Sequence, residues 1–100
     1  MGNIKIKELP KDDRPRERLL NNGAQSLSNE ELLSIILSNG TKQINVKTLS
    51  LNILKKCNNL KDLKNINLES LLTIKGIGSA KACKILAVVE IAKRLNKNIE

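Results

Sequence analysis

The chain has 100 residues, enough for one small domain that buries roughly 60–68% of its unfolded surface. It contains no Phe, Tyr or Trp, so its core must be aliphatic, and single-stranded nucleic acid held by bases stacked on aromatic rings is disfavoured. The net charge of +8, from 18 basic and 10 acidic residues, suits a polyanionic partner, while two cysteines and no histidine exclude a four-ligand structural zinc.

Residues 1–11 carry few turn or helix signals, with Ile4 and Ile6 alternating with lysines, and read as an extended arm. A helical domain follows over 12–97, with 98–100 as its C-terminal end. Asp12 or Asp13 is expected to cap a first helix that has Pro15 in its first turn and closes near Asn22-Gly23. Ser28-Asn29-Glu30-Glu31 is a capping box opening the apolar run Leu32, Leu33, Ile35, Ile36, Leu37, which Asn39-Gly40 ends. Asn45 caps Val46 to about Cys57, where Val46, Leu49, Ile53 and Cys57 recur at helical spacing. Leu60, Leu63 and Ile66 suggest a short helical turn before Asn67 caps the segment of Leu68, Leu71 and Leu72. A final helix begins after Ser79 and runs to about Asn96. No convincing strand alternation occurs, so the expected fold is all-α, a compact bundle of about five helices.

The junction between the last two helices, Leu71-Leu72-Thr73-Ile74-Lys75-Gly76-Ile77-Gly78-Ser79-Ala80-Lys81-Ala82, carries the strongest chemical signal. Gly76 and Gly78 lack a Cβ, so each can take positive φ and admit another backbone. Ser79 is read as the N-cap of the final helix, whose first free amides would point outward at the positive end of the helix dipole. An anion fits there. Ile77, apolar within a tight turn, is expected to plug the gap between the helices. Lys75 and Lys81 bracket the turn, and Lys84 follows three residues after Lys81 on one side of the helix. A glycine-closed helix joined to a serine-capped one also serves as a plain structural turn, so the spacing leaves both uses open.

In the last helix Ala82, Ile85, Val89 and Ala92 define a wholly apolar stripe, and Cys83, Leu86 or Ala87, and Glu90 a second one. Ala80, Ala82, Ala87 and Ala92 would permit close approach of a neighbouring helix. Glu90 and Arg94 form an i,i+4 pair of surface value. Between Lys75 and Lys97 six bases face one acid, Glu90, and between Lys42 and Lys64 six bases face Asp62 alone. Lys- and Asn-rich composition by itself also produces solvated lysine faces, a second reading of this excess. Cys57 and Cys83 both fall in apolar helical patterns and are read as buried thiols in a cytoplasmic protein, since nothing at the N-terminus looks like a signal peptide. Met1-Gly2 opens like a myristoylation site, but Ile6 stands where Ser or Thr is wanted. No apolar run approaches ~18 residues, so no membrane span is expected.

Helix, Asn39-Gly40-Thr41, helix is followed by helix, Gly76-Ile77-Gly78, helix, as though one unit occurred twice and only the second kept its double glycine. The residues then carry a resemblance. Arg14-Pro15-Arg16-Glu17-Arg18-Leu19-Leu20, Gly23-Ala24, Leu27-Ser28-Asn29-Glu30-Glu31-Leu32-Leu33, Gly40-Thr41 and Ile74-Lys75-Gly76-Ile77-Gly78 with Lys81-Ala82 and Glu90 stand in one order. Together they resemble the amino-terminal region of the RadC (UPF0758) family, over about residues 8–95. The resemblance implies a helix-hairpin-helix domain, similar to those of repair and recombination proteins that hold DNA backbone without reading sequence. A degenerate duplicated pair like the second domain of RuvA would fit that implication. It also implies a downstream JAB/MPN-like domain with a His- and Asp-bearing metal motif, which this chain lacks.

Without His or Tyr, and with its acids scattered, the chain offers no nucleophile paired to a base and no three-ligand metal site. No enzymatic activity, cofactor or metal is expected of these residues. The expected function is DNA-backbone binding, on duplex or branched DNA, with Lys75, Gly76, Ile77, Gly78, Ser79, Ala80, Lys81 and Lys84 forming the phosphate site. The alternative is a protein-protein or interdomain docking module for the absent C-terminal domain.

Overall fold

Helix starts are set by side chains that satisfy backbone amides otherwise left bare in the first turn. At Ser28 both halves of the capping box are made: Ser28 Oγ accepts the Glu31 amide at 3.1 Å, and Glu31 Oε1 accepts the Ser28 amide at 2.8 Å. Asn45 Oδ1 accepts from the Thr48 amide and Asn67 Oδ1 from the Ser70 amide, each at 2.8 Å. These caps open three of the five α-helices in the computed structural model, which describes residues 14–58 and 60–99.

In chain order the elements are α1 (Pro15–Asn22), a 3-10 turn (Ala24–Ser26), α2 (Asn29–Leu37), α3 (Val46–Cys57), a second 3-10 turn (Leu60–Asn65), α4 (Leu68–Leu72) and α5 (Ser79–Ile99). No strand occurs among the described residues, as the all-α expectation requires. Pro15 stands in the first turn of α1, but the residue before the helix is Arg14, which makes no side-chain cap bond. The expected Asp12 or Asp13 cap and the arm over residues 1–11 lie outside the described residues. Gly23 closes α1 at φ 93°, donating its amide to Leu19 O. The last helix extends beyond the expected Asn96 to Ile99.

α2 packs chiefly on α3, α4 on α5, and α2 and the second 3-10 turn also meet α5. The shared core is aliphatic: Leu33 and Leu37 of α2, Leu49 and Ile53 of α3, Leu63, Leu71, Ile74 and Ile77, and Ala82, Ile85 and Val89 of α5. Arg18 of α1 reaches Glu31 Oε2 at 3.3 Å, so the carboxylate that caps α2 also ties α1 to it. Between α2 and α3 two buried hydroxyls meet, Ser34 Oγ and Ser50 Oγ at 3.0 Å. Ser34 gives its single proton to Glu30 Oε2, so Ser50 must donate to Ser34.

Three expectations for side-chain placement are corrected. Cys57 is buried, whereas Cys83 is exposed. It belongs to the second stripe of α5, of which Leu86 alone packs partly against the core, while the Ala82, Ile85, Val89 side is buried. Ala92, three residues past Val89, is exposed, because the core ends before it. Of the four alanines expected to admit a neighbouring helix, Ala82 alone is buried.

Candidate functional site

The junction between α4 and α5 is held by a ladder of short backbone bonds. Thr73 donates to Ser70 O at 3.2 Å, Ile74 to Leu71 O at 3.1 Å and Ile77 to Ile74 O at 3.0 Å. Ile74 and Ile77 are buried, so the turn is bolted to the core by two aliphatic side chains. The expected plug is Ile77, at 5% exposure. Its amide is used inside the turn, which leaves it an anchoring position rather than a phosphate donor.

The two glycines divide the work. Gly76 stands at φ 93°, and a Cβ there would come 2.5 Å from Leu49 Cδ2 of α3 and 3.4 Å from Ile44 Cδ1. Gly76 is therefore demanded by the protein's own packing. Gly78 is exposed, is not among the positive-φ glycines, and a Cβ built on it meets no other atom within 4 Å. Its own chain does not require a glycine there.

Gly78 O accepts the Ala82 amide at 3.0 Å, which makes Gly78 the N-cap of α5 and Ser79 its first helical residue. The expected Ser79 cap is thus displaced by one position. Glycine at the cap has no side-chain oxygen of its own to cover the first turn. The Ser79, Ala80 and Lys81 amides have no carbonyl one turn behind them within the helix, and Ser79 and Ala80 are exposed. α5 is long, over 21 residues, so its dipole adds positive potential at this end. Lys75 and Lys84 are exposed and Lys81 is half-buried.

Within residues 75–97 the sole acid, Glu90, binds Arg94 Nε at 3.0 Å well down the helix. The three lysines near the turn therefore meet no acid of that segment. The arrangement can receive an oxyanion at backbone donors flanked by mobile cations.

The first turn is built differently. A Cβ on Gly40 would strike the Ile44 carbonyl and the backbone of Asn45, and Thr41 donates to Ile44 O at 2.7 Å. Thr41 Oγ1 accepts the Gln43 and Ile44 amides, and Asn45 caps α3. Its polar groups are turned on itself. Sequence inspection missed that closure, since Asn39-Gly40-Thr41 gives no sign of which backbone fills the glycine's empty side.

Among the described residues no group of three or more His, Cys, Asp or Glu could hold a metal ion, and no helix is long and apolar enough to cross a membrane. Burial, then Asp62, pushes the Cys57 thiol above its ordinary value of 9.0, with Lys56 opposing.

A family model described as UPF0758 N-terminal matches residues 6–83. A UPF0758 protein of Clostridium novyi (strain NT) is 54% identical over 91 residues, covering 91% of this chain and 40% of that relative. UPF0758 proteins of Clostridium botulinum, among them those of strains Hall and 657, are 50% identical over 93 residues, covering 93% of this chain and 41% of theirs. The chain thus spans about 40% of the length of the curated relatives it matches. No solved structure matches it.

Proposed function

We propose that this chain, which belongs to the UPF0758 N-terminal family, is a helix-hairpin-helix module that grips the DNA backbone without reading sequence, within a RadC-like, repair-associated cytoplasmic protein. The amides of Gly78, Ser79, Ala80 and Lys81 hold one phosphate, and Lys75, Lys81 and Lys84 supply neighbouring charge. Gly76 and Ile77 shape and anchor the turn. No catalytic step is assigned to these residues.

The observation that carries the proposal is the contrast between the glycines. One is forced by internal packing; the other fronts open space at the amino end of the longest helix. A glycine that nothing inside the molecule needs is accounted for by something that approaches from outside. Duplex DNA is favoured over base-stacked single strands because the chain has no aromatic ring.

Two to four phosphate contacts give weak affinity and a slope of log K against log salt of about −2 to −4. Titration of a short duplex at low salt, followed by backbone amide shifts, tests this: the first perturbations should fall within residues 75–84. Shifts centred elsewhere, or a slope near zero, would remove the proposal. A second reading, interdomain docking, is favoured by exposed aliphatic side chains on α5.

A further inference from the structure

Beyond Val89 the last helix leaves the core. Every residue from Glu90 to Lys97 is exposed, yet Val88, Ile91 and Leu95 lie three and four positions apart on one face, 38%, 59% and 58% exposed. This face lies away from the buried Ala82, Ile85 and Val89 side and continues the line of Lys81 and Lys84. Ala87 and Ala92 flank it with small side chains, and Arg94 lies beside Ile91. Single exposed aliphatics are ordinary; three in register on a helix that has left its own core form a seam.

Size and charge together select the occupant. A stable complex of separate chains buries ~800 Å² and 20–30 residues per partner, and a seam of three aliphatics falls far short of that. A tethered partner needs less, because the covalent link has already restricted the search and supplies an effective concentration in the millimolar range. The relatives supply such a tether in principle, since about three fifths of their length lies outside the matched stretch. The family model ends at residue 83, before the seam begins. Lys84 and Arg94 at its borders call for carboxylates opposite, and a second copy of this chain would bring its own net charge of +8 against them.

We propose that Val88, Ile91 and Leu95 dock on an aliphatic surface rimmed by Asp or Glu, located in the part of the full-length protein outside residues 1–100. This gives the docking reading a surface and a partner chemistry and does not depend on DNA binding. The seam and the phosphate turn then occupy two stretches of one helix, so α5 fixes the gripped backbone relative to the docked domain.

Hydrogen exchange over residues 86–97, compared between the full-length protein and residues 1–100, tests the proposal without DNA. Docking should slow exchange about tenfold in the full-length protein. Ile91→Glu with Leu95→Glu should return it to the rate of residues 1–100, and Ile91→Ala serves if the charged pair impairs folding. Equal exchange in both forms, or protection that survives the substitutions, would overturn it. So would concentration-dependent dimers of residues 1–100 that the same substitutions dissolve, or sedimentation of residues 1–100 with phosphatidylglycerol vesicles through this seam. Failure here leaves the duplex titration untouched, because the substituted residues lie outside 75–84.

Discussion

Replacing Gly78 with serine separates binding from folding more cleanly than any other substitution in the turn. Gly78 is the N-cap of α5, its φ is not in the positive region, and its Cβ direction is open, so serine fits the backbone without collision. Serine is the better cap by only a few tenths of a kcal/mol, so the melting temperature should stay put or rise by about 1–3 °C. Binding should move the other way. The serine Cβ occupies the approach to the turn, and its Oγ takes the Ala80 or Lys81 amide that the phosphate would use. Losing charge-assisted hydrogen bonds worth about 1.5–3 kcal/mol weakens binding about 10- to 150-fold. Fluorescence anisotropy with a labelled short duplex at low salt, paired with thermal melting by circular dichroism, reads both quantities. A Gly78→Ser protein that melts normally and binds duplex as tightly as the parent refutes the phosphate site.

Gly76→Ala should instead cost about 1–3 kcal/mol of stability, from positive φ and the collision with Leu49, read as a lower urea midpoint. Ser34→Ala strips the buried Ser50 hydroxyl of its acceptor and should cost about 1–3 kcal/mol; Ser34→Ala with Ser50→Ala should cost less than the sum of the two single changes, measured as a double-mutant cycle. Thiol labelling should modify Cys83 in the folded protein and Cys57 only on unfolding. Because the fold raises the Cys57 thiol above 9.0, the folded state holds that proton more tightly; stability is therefore intact below 9.0 and falls as pH climbs toward the raised value. Cys57→Ser should remove that alkaline loss in urea melts taken across this window.

Local signals were legible where one residue determines its own neighbourhood. Ser28, Asn45 and Asn67 each announce a helix start, because a short polar side chain before an apolar period has one good use. The burial of Ile77 followed from an aliphatic side chain having nowhere else to go in a turn. What failed was any feature set by three-dimensional neighbours. Cys83 belongs to an apolar pattern and still faces outward, since α5 buries its Ala82, Ile85 and Val89 side. The Arg18 link to Glu31 joins two helices whose packing the sequence does not encode locally. The cap of α5 shifted from Ser79 to Gly78 because serine outranks glycine as a cap in isolation, whereas here the Gly78 carbonyl closes the first helical ring.

That shift changes what the site can do. Had Ser79 been the cap, its hydroxyl would have covered the second or third amide of the helix, as Asn45 covers the Thr48 amide of α3. A glycine cap leaves those amides to an outside acceptor. The two interhelical turns thus differ in kind: the first consumes its own donors through Thr41 and Asn45 and fills the empty side of Gly40 with the Ile44 carbonyl, and the second keeps both donors and space available. The two touch where Ile44 and Thr41 approach Gly76, so the closed turn acts as a buttress for the open one. On the proposed reading one open turn would give one strong phosphate contact, with the surrounding lysines adding screened, mobile charge. A single contact of this kind leaves the overall affinity weak on that reading, and firm attachment to DNA would call for a second one. Joining residues 1–100 in tandem would supply that second contact and should tighten duplex binding by far more than twofold; a mere doubling, as expected for independent sites, would refute this expectation.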